Sequence, residues 1–333
     1  MIKSFLQVVI GASCVACAMP VAAQSTAKAT TDTPYPTRPI RIVVPFPPGA
    51  SPNDITARLL GRELSQSLQQ QVVIDNRPGA AGNIGTEIVA KSTPDGYTLL
   101  VSSTTLTIAP NAYKNLTYDP GRDLLPITMV ASAPMMVMVN TNVVPAGNIK
   151  ELIAYARSRP GQIKFGSGGN GTVPHLSGEM LNAMAGIRME HIPYKGGAPA
   201  TVALLGGEVG IYIDTPTGSM QTIKQARIKV LAVTEKKRSS LLPDVPTLDE
   251  AGVPGFELRV WYGVFAPAKT PRSVVQRLHT EIVKALQSPE VKARFTGMGT
   301  ETLGVGPDEF SRVYLADLQK WSKFIRDTGL KLD

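Results

Sequence analysis

Apolar and polar residues alternate along this chain in blocks whose period changes. Ile40-Arg41-Ile42-Val43-Val44 is a short apolar run and predicts a buried strand. From Ile55 to Leu68 the period lengthens, and Ile55, Leu59, Leu60, Leu64 and Leu68 fall on one face of a helix. Between the two lies Pro45-Phe46-Pro47-Pro48-Gly49-Ala50-Ser51-Pro52-Asn53-Asp54, a strand-to-helix turn. Ser51 suits the N-cap, Pro52 the first helical position, and Asp54 the third, from which its carboxylate reaches back. Gly49 and Ala50 carry little or no side chain, so a ligand can approach the backbone there. The helix start adds free N–H groups and a partial positive charge, which suit a carboxylate or phosphate. A well-capped connection with no ligand accounts for the same residues.

The pattern then repeats. Val72–Ile74 predicts a strand, and the glycine-rich stretch from Asn76 to Gly85 predicts a turn into a helix ending near Lys91. Tyr97–Val101 predicts a strand that ends in the hydroxyls of Ser102, Ser103, Thr104 and Thr105. Ile127–Val139 is a long apolar run broken at Pro134. Asn148 caps a helix over Ile149–Ser158, with Glu151 three positions on. Strands over Gln162–Phe165, Arg188–Ile192, Val209–Ile213, Ile228–Val233 and Trp261–Ala266 are interleaved with helices over Val173–Met184 and Ala198–Leu205. Thr270-Pro271, Ser288-Pro289 and Gly306-Pro307 open three closing helices. Regular alternation of strands and helices predicts an α/β protein with mostly parallel sheets covered on both faces.

The first 23 residues break this rhythm: Lys3 is the only charge, and Phe5–Met19 is apolar and too short for a membrane span. Val21-Ala22-Ala23 supplies small residues for cleavage, so residues 1–23 are expected to be a signal peptide and residues 24–34 a loose polar leader. Both cysteines, Cys14 and Cys17, fall in the segment expected to be removed, which leaves no disulfide, redox pair or metal pair to the mature chain. About 300 residues remain, enough for two domains with sizeable cores. The balance of 34 basic and 26 acidic residues favours anionic ligands by long-range steering. Nucleic acid is not expected as a partner, since aromatic content is 6% and Lys236-Lys237-Arg238 is the only dense basic cluster.

A second glycine-rich turn competes for the functional reading. Gly166, Gly168 and Gly171 spell G-x-G-x-x-G between a strand and a helix, and Glu190 follows on the next strand, where a dinucleotide site places its ribose-binding acid. The other reading is an anion cradle, with Ser167, Asn170 and Thr172 beside bare backbone N–H groups. His175, His191 and His279 lack metal-ligand spacing, and neither a nucleophile elbow nor a P-loop is present. Asp214 ends a strand and is a candidate acceptor for a ligand's amine or hydroxyl. Trp261 is expected in the core, and His175 as a structural hydrogen-bonder.

Several stretches together resemble one family. They are Tyr35-Pro36-x-Arg38-Pro39-Ile40 leading into Pro45-Phe46-x-Pro48-Gly49, Asn76-Arg77-Pro78-Gly79-Ala80, Pro94-Asp95-Gly96-Tyr97-Thr98, Gly166-Ser167-x-Gly169-x-Gly171-Thr172 with His175, Tyr194-Lys195-Gly196, and Leu242-Pro243-Asp244-Val245-Pro246-Thr247. The chain from about residue 35 onward is similar to the Bug-type substrate-binding proteins of tripartite tricarboxylate transporters. The resemblance implies a two-lobe periplasmic-binding-protein fold of type II, a Venus flytrap whose α/β lobes close on a small organic carboxylate. It places ligand-binding amides on Gly49, Ala50, Ser51, Asn53 and Asp54 in one lobe and on Ser167, Gly168, Gly169, Asn170, Gly171 and Thr172 in the other. Many members carry a second glycine where this chain has Ala50.

The expectation is therefore a monomeric periplasmic solute-binding protein that delivers its ligand to membrane permease subunits, without cofactor, metal or catalysis. Phe46, Thr104, Thr105 and Asp214 complete the candidate site. Lobe one is expected to hold residues 35–133 and 264–333 and lobe two residues 134–263, with crossings at Ile127–Val139 and Trp261–Pro267. The alternatives are a secreted NAD-dependent oxidoreductase using the Gly166–Gly171 turn and a periplasmic sensor docking on a membrane receptor.

Overall fold

The computed structural model describes residues 35–330 apart from Ala50, Lys114 and Ser240. The expected signal peptide and leader, and the expected amide of Ala50, lie outside the described residues.

The chain begins with β1 (Ile40–Val44), α1 (Pro52–Ser67), β2 (Val72–Asn76), α2 (Asn83–Ala90) and β3 (Thr98–Ser103). The short helices α3 (Thr105–Ala112) and α4 (Pro120–Asp123) lead to β4 (Leu124–Pro134). Then follow β5 (Met136–Asn140), α5 (Ile149–Arg157), β6 (Lys164–Ser167), α6 (Val173–Ala185), β7 (Glu190–Pro193), α7 (Gly197–Gly206), β8 (Ile211–Asp214), the single turn α8 (Pro216–Ser219) and β9 (Ile228–Val233). The chain closes with β10 (Arg259–Pro267), α9 (Arg272–Gln287), α10 (Pro289–Gly297), β11 (Glu301–Val305) and α11 (Pro307–Thr328).

Two sheets result, one ordered β11-β4-β10-β3-β1-β2 and the other β7-β6-β8-β5-β9. Each is mixed rather than mostly parallel. In the first, β1 runs parallel to β2 and β3, while β10 and β11 pair antiparallel with β4. In the second, β6 runs parallel to β7 and β8, while β5 is antiparallel to β8 and β9. The crossing strands β4 and β10, joined by β11, make the antiparallel half of the first sheet, and the crossing strands β5 and β9 make that of the second.

Both faces of the first sheet are covered, which is why its strands read as continuous apolar runs. Ile40, Ile42 and Val44 face a core shared with Leu60 and Leu64 of α1 and Leu278 of α9. Val43 and Leu100 face Phe310 and Tyr314 of α11 together with Trp261, which is core as expected. The buried cluster that starts at Ile42 continues through Met135 and Val137 into Phe165 and Leu176, so apolar packing is unbroken where the lobes join.

Pro134 ends β4 and the chain passes through Met135 into the second sheet. It does not return at Trp261–Pro267. All of β10 pairs within the first sheet, from Arg259 opposite Pro134 to Pro267 opposite Leu124. The return is the segment from Thr234 to Leu258, and apolar Trp261–Pro267 is a central strand instead. Thr234 ties the two passages together and is fully buried. Its hydroxyl accepts from Met135 N–H at 3.0 Å and donates to Leu258 C=O at 2.7 Å. Its backbone N–H donates to Met135 C=O at 3.0 Å, and its C=O accepts from Leu258 N–H at 2.8 Å.

The pairings also fix where the expected turns lie. Ser103 at the end of β3 pairs with Tyr262, near the start of β10 that faces Pro134, so β1 and β3 end on the edge where the chain crosses. Met136 at the start of β5 pairs with both Asp214 and Val233, and β6 runs parallel to β8, so Ser167 and Asp214 end on the matching edge of the second sheet. Each sheet thus presents the ends of its parallel strands to the edge joined to the other.

Candidate functional site

The first turn folds as its capping residues dictate. Ser51 is the N-cap of α1, and its hydroxyl accepts from Asp54 N–H at 3.1 Å. Asp54, fully buried, reaches back past Ser51 to Gly49, whose N–H donates to its carboxylate at 2.9 Å. The same carboxylate accepts from Arg58 Nε at 2.9 Å and from Asn76 Nδ2 at 2.8 Å, and Asn76 also donates to Phe46 C=O at 3.0 Å. Burial raises the Asp54 pKa, but the bonds from Arg58, Gly49 and Asn76 outweigh it and hold the carboxyl below the usual carboxylate range. Asp54 is therefore the internal brace of the turn. Gly49 has φ +111°, a conformation that favours glycine. Phe46 is half-buried against the core. Asn53 is 5% exposed, and its side-chain oxygen finds no hydrogen-bond partner.

The second turn is braced by histidines. Ser167 Oγ accepts from Gly169 N–H at 3.0 Å and lies 3.1 Å from Gly169 C=O and 2.6 Å from His191 Nε2. His175 Nδ1 accepts from Gly171 N–H at 3.2 Å, the structural role expected of it. The two imidazoles stack with centroids 3.7 Å apart. Burial holds His175 down to about 4, and burial followed by the neighbouring His175 ring holds His191 down to about 3. Both rings are neutral at neutral pH. Ser167 and His191 form a nucleophile–base contact, but Ser167 is fully buried and its hydroxyl is taken up by both backbone groups of Gly169. Thr172 is the N-cap of α6, yet its hydroxyl bonds Gly169 C=O at 2.7 Å and does not cap the helix. Asn170 is exposed, and Gly168 and Gly169 are half-buried.

Backbone accounting shows what each turn has left for a ligand. The N–H groups of Gly49, Asp54, Gly169, Gly171 and Thr172 already have acceptors. Those of Ser51, Asn53, Gly168, Asn170 and Val173 find none among the described residues. The cradle is thus smaller than the two stretches named from sequence, and it lies on the outer residues of each turn.

The remaining candidates are placed differently. Thr104 Oγ1 accepts from Trp261 N–H at 3.0 Å, which fastens β3 to β10, and Thr105 is half-buried at the start of α3. Asp214 retains some exposed surface, but atoms crowd its carboxyl, and burial pushes the group up to about 6 despite bonds from Thr215 N–H and the Ser219 hydroxyl. Glu190 does not stand where a dinucleotide site needs it. It begins β7 opposite Lys164, at the far end of the strand from the pairing of Ser167 with Pro193. At about 3.3 Å per residue, that places it roughly 10 Å from the turn. Among the described residues, no group of three or more His, Cys, Asp or Glu side chains suits a metal ion. A charged cavity of about 750 Å³ beside the crossing, lined in part by Glu235, Arg259 and Glu301, contains none of the expected site residues.

Sequence reasoning missed Arg58 and Asn76 as braces of the first turn and the stacking of His175 on His191. Arg58 was accessible from its i, i+4 spacing to Asp54. The other two depend on contacts across strands.

Two α/β lobes joined at one sheet edge each, with uncommitted helix-start N–H groups on those edges, define a two-lobe solute-binding protein of the periplasmic binding class. The chain belongs to the tripartite tricarboxylate transporter receptor family, whose model matches residues 56–330. It is 42% identical over 296 residues to the UPF0065 protein in the tcbD-tcbE intergenic region of Pseudomonas sp. (strain P51), covering 87% of this chain and 86% of that one. The periplasmic binding protein BugD superposes with a TM-score of 0.79 at 36% identity, over 89% of this chain and 99% of BugD. R. palustris Rpa4515, solved with adipate, gives a TM-score of 0.81 at 35% identity, over 89% of this chain and 99% of that one. No helix among the described residues is long and apolar enough to cross a membrane.

Proposed function

We propose that this protein captures a small organic carboxylate between its lobes in the periplasm and delivers it to the permease subunits of a tripartite tricarboxylate-type transporter. Residues 1–23 export it and are removed, and the mature protein works as a monomer. Residues 35–134 and 259–330 make lobe one, residues 135–258 make lobe two, and the Thr234 bonds make the hinge. Ser51 and Asn53 on one lobe, with Gly168, Asn170 and Val173 on the other, donate backbone N–H groups to the ligand's carboxylate. The observation that carries this reading is that these unpaired N–H groups lie on the two sheet edges the crossings join. The solved relative holding adipate, a dicarboxylate, supports the ligand class. Asp214 ends a strand on the same edge and selects among carboxylates by what the rest of the ligand carries.

A thermal-shift screen of mono-, di- and tricarboxylates beside neutral sugars and amines tests the reading. A ligand present at 100 times its Kd stabilises the folded state by about 2.7 kcal/mol, which raises the melting temperature measurably. A response to a carboxylate is the expected result. A response confined to sugars or amines would overturn it.

A further inference from the structure

The lobes meet at a second place besides the joint at Thr234. β8 ends at Asp214 on the edge of the second sheet that is joined to the first, and the single turn α8 follows it. The Ser219 hydroxyl donates to the Asp214 carboxylate at 3.3 Å, and Met220 N–H donates to Pro216 C=O at 2.9 Å, so α8 is fixed to its own lobe. Its partner is the turn between α10 and β11 in lobe one. There Met298 N–H bonds Phe295 C=O at 3.0 Å, Gly299 N–H bonds Thr296 C=O at 2.9 Å, and Thr300 N–H bonds Phe295 C=O at 3.0 Å. Phe295 and Met298 share an apolar cluster with Leu278 and Leu286 of α9. Each partner is thus shaped within its own lobe.

Two contacts seat one on the other. Thr217 Oγ1 donates to Met298 C=O at 2.9 Å. Gly299 has φ +70°, and a Cβ built on it would overlap Pro216 and come within 2.8 Å of Leu241 Cδ1. The missing side chain is what lets Pro216, which is buried, sit against the backbone of lobe one. Seat and joint are separate places. Pro134 and Arg259 pair at the crossing, Glu235 follows Thr234, and the cavity of about 750 Å³ that these residues line reaches Leu241 and Gly299 at the seat. A body held at one point turns about any axis through it. Held at two separated points, it turns only about the line that joins them.

We propose that Pro216, Thr217 and Gly299 form a second bearing of the hinge, and that they are positioning residues for ligand capture because they confine the lobes to one axis of opening. This rests on the capture of a ligand between the lobes and adds what aligns them. Alignment matters because the N–H donors are divided, Ser51 and Asn53 on one lobe and Gly168, Asn170 and Val173 on the other. A hydrogen bond weakens steeply once its angle falls below about 120°. Closure about a wandering axis brings the two sets of donors together out of line, and only the aligned fraction of closures binds. The bearing therefore acts on affinity without touching the ligand.

Spin-label distance measurement on the ligand-free protein tests this. The mature protein has no cysteine, so Gln66→Cys near the end of α1 and Gln162→Cys before β6, both exposed, take labels at the ends of the lobes away from the joined edges. Thr217→Val removes the bond between the lobes. Thr300 Oγ1, 3.5 Å from Met298 C=O, remains to hold that carbonyl, so the melting temperature should stay close to that of the wild type. The expected result is about a fivefold larger population of unseated states in Thr217→Val, the value of one net hydrogen bond, read as a wider distance distribution. Thr217→Ser keeps the hydroxyl and should keep the wild-type width. Gly299→Ala, which pushes Pro216 off the backbone, should widen the distribution as well. Equal widths in the wild type and Thr217→Val overturn the bearing, as does equal widening in Thr217→Ser and Thr217→Val. Because no ligand enters the measurement, either result leaves carboxylate capture standing, and that reading falls only on the thermal-shift screen.

Discussion

Replacing Thr234 by valine should loosen the joint between the lobes, and the structure sets the size of the effect. Valine keeps the β-branched shape but removes the hydroxyl that accepts from Met135 N–H and donates to Leu258 C=O. Met135 is fully buried and Leu258 is 1% exposed, so water cannot take over either bond cheaply. A buried backbone group left unsatisfied costs about 1–3 kcal/mol. Two such groups, with partial relaxation, give an expected loss of about 2–4 kcal/mol. Thr234→Ser keeps both bonds and gives up one methyl, about 1 kcal/mol of burial. Urea denaturation followed by circular dichroism measures this as a lower midpoint at unchanged slope for the valine variant. A midpoint for Thr234→Val equal to that of Thr234→Ser would refute the assignment of the hydroxyl to the joint. The pair also bears on motion, since the backbone bonds of Thr234 survive both changes. X-ray scattering on the ligand-free valine variant should report a wider spread of lobe separations than the serine variant.

Asp54→Asn keeps the shape of the first turn but removes the charge held by Gly49, Arg58 and Asn76. Because the folded pKa is depressed, its contribution is present above the unfolded value near about 4 and lost as pH falls through the lower folded value. The variant should flatten the acid limb of a stability–pH curve, and an unchanged limb would count against the brace. His175 and His191 stay neutral in the fold and gain protons on unfolding, so stability should fall as pH drops from their ordinary value of 6.5 towards about 4 and about 3. His175→Asn, which retains an acceptor for Gly171 N–H, should bind ligand within about threefold of wild type, whereas His175→Leu should lose about five- to twelvefold, the value of a net hydrogen bond of about 1–1.5 kcal/mol. Equal titration curves for the two would remove His175 from the positioning of the turn.

The first turn was legible because its determinants sit within four residues. Ser51, Pro52 and Asp54 specify a helix start by local chemistry alone, and the helix starts there. Asn148 and Glu151 worked the same way, with one adjustment: the Glu151 carboxylate reaches Gly147 N–H as well as the Asn148 side chain. What failed to show was non-local. The return crossing was misplaced because an apolar strand and an apolar crossing look alike, whereas the actual joint pairs Thr234 with a residue 99 positions earlier. β11 was missed because Glu301-Thr302-Leu303-Gly304-Val305 is short, half-polar and interrupted by Gly304 at φ +72°. The sheets were expected mostly parallel because alternation of strands and helices says nothing about the strands that cross between lobes. Within the site, the positions of both turns could be read, but the division of their N–H groups between brace and ligand could not: the acceptors Ser51, Asp54, Ser167 and His175 lie within five residues of the groups they hold, and spacing alone does not say which of these side chains turns inward.

The histidine and carboxylate braces separate two kinds of heritable information. Asp54, Ser167, His175 and His191 hold peptide groups in place, and a peptide N–H carries no record of which side chain it belongs to. The shape of the turns can therefore keep its spelling while the cargo changes, because a grip made of peptide N–H groups reads a carboxylate and not the rest of the molecule. Two chains with the same turns have no reason to share a ligand. The signature that makes this chain easy to classify is, for the same reason, the part that says least about what it carries.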